Sequence, residues 1–331
     1  MAQQYSAKTT LKDVFGFAEF RGKQSDIIDD FMAGRNILAV MPTGAGKSLC
    51  FQLPALLRDG LTIVISPLIS LMQNQVEALK LFGVEAASIN SSNSSEENYD
   101  IWQRMRAGTL KLLYLSPEKL MTERMLETVQ GLNVNAFAID EAHCISQWGA
   151  AFRPEYEMLS RLHTLFPHTP IMALTATADQ ATRDQIREKI FSNDVKTYLT
   201  GFDRPNISLN VEIKNGWKQQ LLRFLKPRGK ENGIVYCLSR KKTEEAAKAL
   251  VEKGYNALTY HAGMPSRLRE ENLNRFMAEP DLIMVATIAF GMGIDKADIR
   301  FVFHTDLPSS PEAYYQEIGR AGRDGKPATA H

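Results

Sequence analysis

Residues 36–48 read NILAVMPTGAGKS. A short apolar run ends in a turn rich in glycine, and a lysine and a serine close it. The strict phosphate-loop spacing is GxxxxGK[ST], a strand-to-helix turn whose backbone N–H groups face inward. Here Met41 stands where the first glycine would be, and Gly44, Gly46, Lys47 and Ser48 are in place. Glycine lets the backbone N–H groups cradle phosphate oxygens, and the N-terminus of the following helix adds partial positive charge. Lys47 would sit at the β and γ phosphates, and Ser48 would hold Mg²⁺. The alternative is a glycine-rich turn without a ligand.

Outward from this turn, the runs LTIVIS, KLLYLS, NAFAID and IMALTAT are again short and apolar, each followed by a segment that can be helical. That alternation predicts a parallel sheet covered by helices. It stops near GFDRPNISL and restarts with GIVYCLS, NALTYH, DLIMVAT and RFVFHT. Two α/β lobes are therefore expected, 1–205 and 206–331, joined at about residues 201–207. SINSSNSSEENYD reads as a polar loop leading into a helix, either a solvated connection or a DNA contact.

Composition excludes several classes. The chain has 331 residues, 44% of them hydrophobic, enough for two ordinary cores. With 39 basic and 38 acidic residues, any nucleic-acid surface must be a local stripe. No apolar run approaches the length of a membrane span, and the N-terminus lacks a signal-peptide core. Cys50, Cys144 and Cys237 form no CxxC, which argues against a disulfide framework or zinc and fits a reducing, intracellular setting.

The run NAFAID ends on Asp140, followed by Glu141. Asp140 can hold Mg²⁺ through water, and Glu141 can polarise the attacking water. His143 follows directly and can link the nucleotide to another site, although a lone histidine is more often structural.

Taken together, the motifs resemble those of the RecQ family of DNA helicases, in helicase superfamily two. FGFAEFRGKQ (15–24) resembles the nucleotide-base motif and MPTGAGKS motif I, where the family also lacks the first glycine. SPLISLMQNQV (66–76) resembles motif Ia, DEAHCISQWG motif II, ALTATA (173–178) motif III and IVYCLSRKKTEE (234–245) motif IV. VATIAFGMGIDKADIRFVFH (285–304) resembles motif V, and QEIGRAGRDG (316–325) motif VI. Eight motifs in register leave little room for chance.

The resemblance implies two tandem RecA-like domains with ATP in the cleft between them. By the same carry-over, Gln24 would read the adenine edge, helped by Arg21, and a Gln amide suits adenine because it carries a donor and an acceptor. Thr43, Gly291, Asp295 and Gln316 would join the nucleotide site. Gln316, Arg320 and Arg323 are spaced by four and three, which on a helix puts them on one face. Arg320 and Arg323 would reach the γ-phosphate; the alternative is a pair of surface arginines in salt bridges.

A helicase that moves along any sequence should grip phosphates rather than base edges. The candidates are Ser66 and Ser70 in the first lobe, and Ser239, Arg240, His261, Arg267 and Thr287 in the second, although Ser and Thr after strands are also plain helix caps. Trp148, Phe152 and Tyr156 recur every four residues, either as one buried helix face or, as the family resemblance implies, as an aromatic loop sensing single-stranded DNA. Gly149 and Pro154 break a continuous helix. Arg153 would brace the loop or touch a phosphate. Many family members carry His-Asp where Ala150-Ala151 stand, so the coupling through this loop is expected to be altered.

The expected activity is Mg²⁺- and ATP-dependent 3′–5′ translocation on single-stranded DNA with duplex unwinding, serving repair or recombination. The polarity comes from the family alone. The partners expected are single-stranded and partly duplex DNA, with no membrane, and the chain is expected to be a monomer in a cytoplasm or nucleus. The family's zinc-binding and winged-helix regions have no counterpart in these residues, so unwinding is expected to be weaker than ATP hydrolysis. An RNA helicase and an ATP-gated DNA-binding module are the alternatives.

Overall fold

The computed structural model describes residues 6–147, 154–191, 194–201, 204–290 and 296–331. Chain contacts divide it into two compact units, Met1–Phe202 and Asp203–His331.

In the first unit the strands are β1 (Asn36–Val40), β2 (Leu61–Ile65), β3 (Ala86–Ile89), β4 (Leu112–Leu115), β5 (Val134–Ile139), β6 (Ile171–Thr175) and β7 (Val195–Leu199). They form one sheet in the order β3-β4-β2-β5-β6-β1-β7, with each neighbouring pair parallel. Successive side chains on a strand point to opposite faces. Leu38, Ile63, Ile65, Phe137 and Ile139 accordingly enter one core. Ile37, Ala39, Val64, Ala136 and Ala138 enter the other. Both faces are covered by helices, so a central strand such as LTIVI is buried along its whole length. This is why the strands appear in sequence as continuous apolar runs rather than as alternation.

The second unit repeats the plan with β8 (Ile207–Leu209), β9 (Gly233–Tyr236), β10 (Ala257–Tyr260), β11 (Ile283–Ala286), β12 (Phe301–His304) and β13 (Ala328–Ala330). The order is β10-β11-β9-β12-β13-β8, again all parallel. Ile234, Tyr236, Met284 and Val302 face one core, and Val235, Ile283, Val285, Phe301 and Phe303 the other.

The expectation that the sheet pattern pauses through GFDRPNISL is corrected: Ile207–Leu209 is a strand. β3, β7 and β13 were likewise outside the predicted set. β3 (AASI) and β13 (ATA) are three or four residues built largely from Ala, Ser and Thr, and β7 (VKTYL) is polar and only partly buried, so each carries too little apolar signal to read. The polar stretch at 88–100 does lead into a helix, Ser95–Arg106. A capping box starts it: the Ser94 hydroxyl accepts from Glu97 N at 3.1 Å, and Ser94 N donates to the Glu97 carboxylate at 2.6 Å.

One glycine is required by close packing. A Cβ on Gly233 would lie 2.0–2.3 Å from ring carbons of Phe301, itself fully buried. Gly233→Ala should therefore destabilise the second unit by about 1–3 kcal/mol through overpacking, read as a lower denaturant midpoint. Phe301→Leu in the same chain should recover part of the loss; an unchanged midpoint for the single variant defeats this account.

Candidate nucleotide and nucleic-acid sites

The carboxyl end of the first sheet gathers the motifs. Met41 N continues the β1–β6 ladder by donating to the Thr175 carbonyl at 3.0 Å. The chain then turns at Gly44 and Gly46, both at positive φ (82° and 76°). The helix Leu49–Leu57 begins after Ser48, whose hydroxyl makes no cap bond. A Cβ on Gly46 would lie 2.3 Å from Gln24 Nε2. That amide donates to the Ala45 carbonyl at 3.0 Å and the Gly46 carbonyl at 3.2 Å, while Gln24 Oε1 accepts from Arg21 N at 2.8 Å. Gln24 is buried, so the Arg21–Gln24 segment is part of the phosphate loop's support, not a polar helix surface. Lys47 Nζ donates to the carbonyls of Met41 (3.1 Å) and Pro42 (3.4 Å). Thr43 is half-buried in the same turn.

Asp140 follows β5 and is buried. Its N–H donates to the Ile65 carbonyl at 2.8 Å, and its carboxylate accepts from Glu141 N at 2.9 Å. Burial, and next the Glu141 carboxylate, push the Asp140 carboxyl up to about 7; Lys47 pulls the other way. Glu141 adopts φ 51°, a left-handed conformation costly for a residue with a side chain and often found at functional sites.

His143 lies against the Glu141 carboxylate at 3.3 Å (Nδ1 to Oε2). The same Nδ1 is 2.9 Å from Thr175 Oγ1. Thr175 donates its hydroxyl proton to the Thr177 carbonyl at 2.9 Å, so His143 Nδ1–H must be the donor to Thr175. Burial disfavours the charged ring, but the contacts with Cys144 and Glu141 outweigh it and the His143 pKa is raised. An ion pair followed by two hydrogen bonds thus links Glu141 through His143 to Thr175 and Thr177. The two threonines were quoted within ALTATA but not singled out; their alternation at a strand end was the available signal.

These residues fit a magnesium nucleotide. Glycine-permissive turns leave N–H groups at the start of a nine-residue helix, and an uncapped serine hydroxyl and a buried carboxylate supply oxygen donors of the kind Mg²⁺ prefers.

The aromatic segment is only partly described. Trp148, Phe152 and Arg153, with Ala150 and Ala151, lie outside the described residues, as do Gly291 and Asp295. Tyr156 turns inward: it is fully buried, and its hydroxyl donates to the Asp140 carbonyl at 3.3 Å. The segment after the aromatic residues is thereby tied to the acidic pair.

The nucleic-acid candidates divide by exposure. Ser66 is buried after β2, with no hydrogen-bond partner for its hydroxyl, whereas Ser70 is exposed in the first turn of the helix Ile69–Leu81. In the second unit, Tyr260, Ala286 and Tyr236 are in register at the ends of β10, β11 and β9. His261, Thr287 and Ser239 therefore emerge along one sheet edge. Ser239 caps the helix Arg240–Glu252 by accepting from Lys242 N at 3.2 Å, so its capping role is real. Arg240 packs on Gly263, where a Cβ would lie 2.9 Å from its Nη1. His261 is buried, with Nε2 3.2 Å from the Glu244 carboxylate. Arg267 is exposed.

The expectation that Gln316, Arg320 and Arg323 share a helix face is corrected. The helix Pro311–Ile318 holds Gln316 but ends before either arginine. Gly319 and the positive φ of Gly322 (57°) carry the chain into a turn instead. Arg204 organises that turn by donating to the carbonyls of Gly319 (3.3 Å), Ala321 (3.0 Å) and Gly322 (3.0 Å). Asn206 Nδ2 donates to the carbonyls of Gly322 (2.8 Å) and Lys326 (2.9 Å). Arg204 and Asn206 were read only as a junction, yet they satisfy backbone groups that a helix would have satisfied itself. Arg320 is buried and Arg323 half-buried.

Comparison with known proteins agrees with this arrangement. The DEAD/DEAH box helicase family model matches residues 21–186, and the helicase conserved C-terminal domain matches 217–325. The chain belongs to the DEAD/DEAH box helicase family. Its relatives include the ATP-dependent DNA helicase RecQ of Haemophilus influenzae, 50% identical over 98% of this chain and 52% of that protein. The RecQ helicase of Bacillus subtilis is 43% identical over 97% of this chain and 55% of its own length. The RecQ resemblance read from the motifs is borne out, and the chain spans about half the length of the curated relatives it matches. Among solved structures, the DUF1998 helicase MrfA bound to DNA matches with a TM-score of 0.79 at 19% identity, over 100% of this chain and 51% of that one. The DEAD-box helicase Mss116 bound to ssRNA and UDP-BeF matches with 0.78 at 18% identity, over 98% and 74%. These two establish the tandem RecA-like fold.

Proposed function

We propose that this chain is the catalytic core of an ATP-dependent DNA helicase of RecQ type, coupling hydrolysis to 3′–5′ movement on single-stranded DNA and to unwinding. The observation that carries the reading is the convergence of the phosphate loop, Asp140–Glu141 and the His143–Thr175–Thr177 chain on one sheet edge. In open α/β sheets, ligands bind beyond the carboxyl ends of the strands. The ATP-binding lobe is taken as 1–205 and the second helicase lobe as 206–331.

In this reading the phosphate-loop N–H groups, Thr43 and Lys47 hold the phosphates, while Ser48 and Asp140 hold Mg²⁺. The metal supplies charge neutralisation on the phosphate oxygens. Glu141 accepts the proton of the attacking water. His143 passes any shift of Glu141 to Thr175 and Thr177, and Tyr156 passes any shift of the aromatic segment to Asp140. Arg320 and Arg323 serve the γ-phosphate, and Gln316, Gly291 and Asp295 complete the nucleotide contacts. Ser70, Ser239, Arg240 and Thr287 contact phosphates of the DNA strand, with Trp148 and Phe152 stacking on bases. The protein acts inside the cell, as a monomer.

The RecQ names of the relatives favour DNA over RNA. Single-stranded DNA should raise the rate of ATP hydrolysis at least tenfold, an order-of-magnitude expectation for a strand-gated ATPase. The measurement is phosphate release with single- and double-stranded DNA and RNA, with Mg²⁺, at one stated salt concentration. A rate indifferent to DNA overturns the translocase reading, and equal stimulation by RNA overturns the choice of nucleic acid.

A further inference from the structure

We infer that Asn206, with Arg204 beside it, is a positioning residue for ATP hydrolysis: its side-chain amide fixes the turn that carries Arg320 and Arg323. The inference rests on the reading of those two arginines as γ-phosphate groups.

The helix Pro311–Ile318 stops before either arginine, and residues 319–325 then read GRAGRDG. Glycine backbone is permissive, so such a turn imposes little conformation of its own on the arginines. Donors from elsewhere in the chain define it. Both protons of the Asn206 amide are committed there, Nδ2 donating to the carbonyls of Gly322 at 2.8 Å and Lys326 at 2.9 Å. Arg204 Nη2 donates to the Ala321 and Gly322 carbonyls, each at 3.0 Å, and Nη1 to the Gly319 carbonyl at 3.3 Å.

A peptide unit is planar, so fixing its carbonyl also fixes the direction in which the next residue begins. The Gly319 carbonyl belongs to the unit that enters Arg320. The Gly322 carbonyl belongs to the unit that enters Arg323, and it accepts from Asn206, Arg204 and Gly325 N. Asn206 is itself held. Its carbonyl accepts from Ala328 N at 2.8 Å, and it immediately precedes β8, whose Ile207 is in register with Ala328. The fit is close: a Cβ on Gly322, where φ is 57°, would lie 2.4 Å from Asn206 Nδ2. Residue 322 has to be glycine for the amide to reach the turn. A misplacement of about 1 Å at a reacting centre can cost about 10²-fold in rate.

The test uses the full chain with Mg²⁺, ATP and saturating single-stranded DNA. Asn206→Ala removes the amide but leaves the Gly322 carbonyl two of its three donors, so a cooperative melting transition is retained. Its kcat should fall about tenfold to a hundredfold while KM for ATP stays within about twofold. ADP with aluminium fluoride, a mimic of the transferring phosphoryl group, should bind more weakly by a similar factor, while ADP alone binds as before. A merely structural role would not produce that split. Arg204→Lys keeps the charge and loses the fork; its kcat should fall about tenfold, and it carries the test if Asn206→Ala does not fold. If the folded Asn206→Ala chain, or Arg204→Lys in its place, keeps its kcat while Arg320→Ala loses it, the positioning role is overturned and the arginine reading stands. If Arg320→Ala and Arg323→Ala both keep their kcat, the underlying reading fails instead. Equal weakening of ADP and of ADP with aluminium fluoride also overturns the inference, because Asn206 would then serve nucleotide binding as a whole.

Discussion

Lys47→Ala should abolish ATP hydrolysis, lowering kcat by about 10²–10³-fold or more, as loss of a preorganised charge at a developing anion does. The structure shows why this loss should be specific. The ammonium donates to the Met41 and Pro42 carbonyls at the start of the loop. Lys47 is half-buried in the loop and belongs to neither apolar core of this unit, so the melting midpoint should hardly move. The charge also acts on its neighbour. Lys47 opposes the combined effect of burial and Glu141 on Asp140, whose carboxyl is already raised to about 7. Without the lysine, Asp140 holds its proton to still higher pH. A protonated carboxyl is a poor Mg²⁺ ligand, so the variant should need more Mg²⁺ and work better at higher pH. The sign follows from the raised pKa: the metal-binding form is the deprotonated one and is favoured above it. Phosphate release measured against Mg²⁺ and pH, beside a circular dichroism melt, checks both parts. Retained turnover would mean that the phosphate site is misassigned.

Much of the fold was legible because buried parallel strands leave short but continuous apolar runs. The strands that were missed show the limit of that signal. Ala328–Ala330 is a strand because it pairs with β12 and with Ile207–Leu209, and Ile207–Leu209 because it pairs with Ala328–Ala330, a cause that no three-residue window contains. The site divides in the same way. Lys47, Asp140 and Glu141 sit at strand ends whose spacing is local and readable. The motif VI arginines were legible as residues but not as geometry. Their four-and-three spacing suggested a helix, yet Gly319 and Gly322 break it. What replaces the helix comes from more than a hundred residues away, in Arg204 and Asn206. His143 shows the reverse case: its position beside the acids hinted at a link, and only the structure supplies the partner, Thr175.

Arg320→Ala should lower kcat by about 10³–10⁵-fold, the range over which an arginine finger acts in phosphoryl transfer, with a smaller change in ATP affinity. The competing account makes Arg320 a structural cation. It would then be needed to neutralise Glu317, the nearest buried acid on its own segment. Glu317 already has a partner, because His304 Nε2 lies 2.6 Å from its carboxylate. Nor does the turn need the side chain, since Arg204 and Asn206 bind its carbonyls. A buried guanidinium with an unsatisfied Nε is a cost to the free fold, and the alanine variant removes that cost. Its melting midpoint should therefore fall little, while its turnover collapses. Arg320→Lys should recover only a small part of the rate, because an ammonium cannot reproduce the two-pronged geometry of a guanidinium on a phosphate. The deciding measurement is kcat at saturating ATP and single-stranded DNA for all three chains, with their midpoints. A variant that melts early yet turns over normally when folded would place Arg320 in the structural role. A stable variant with lost turnover places it at the phosphate, because no structural account links a retained fold to a missing chemical step.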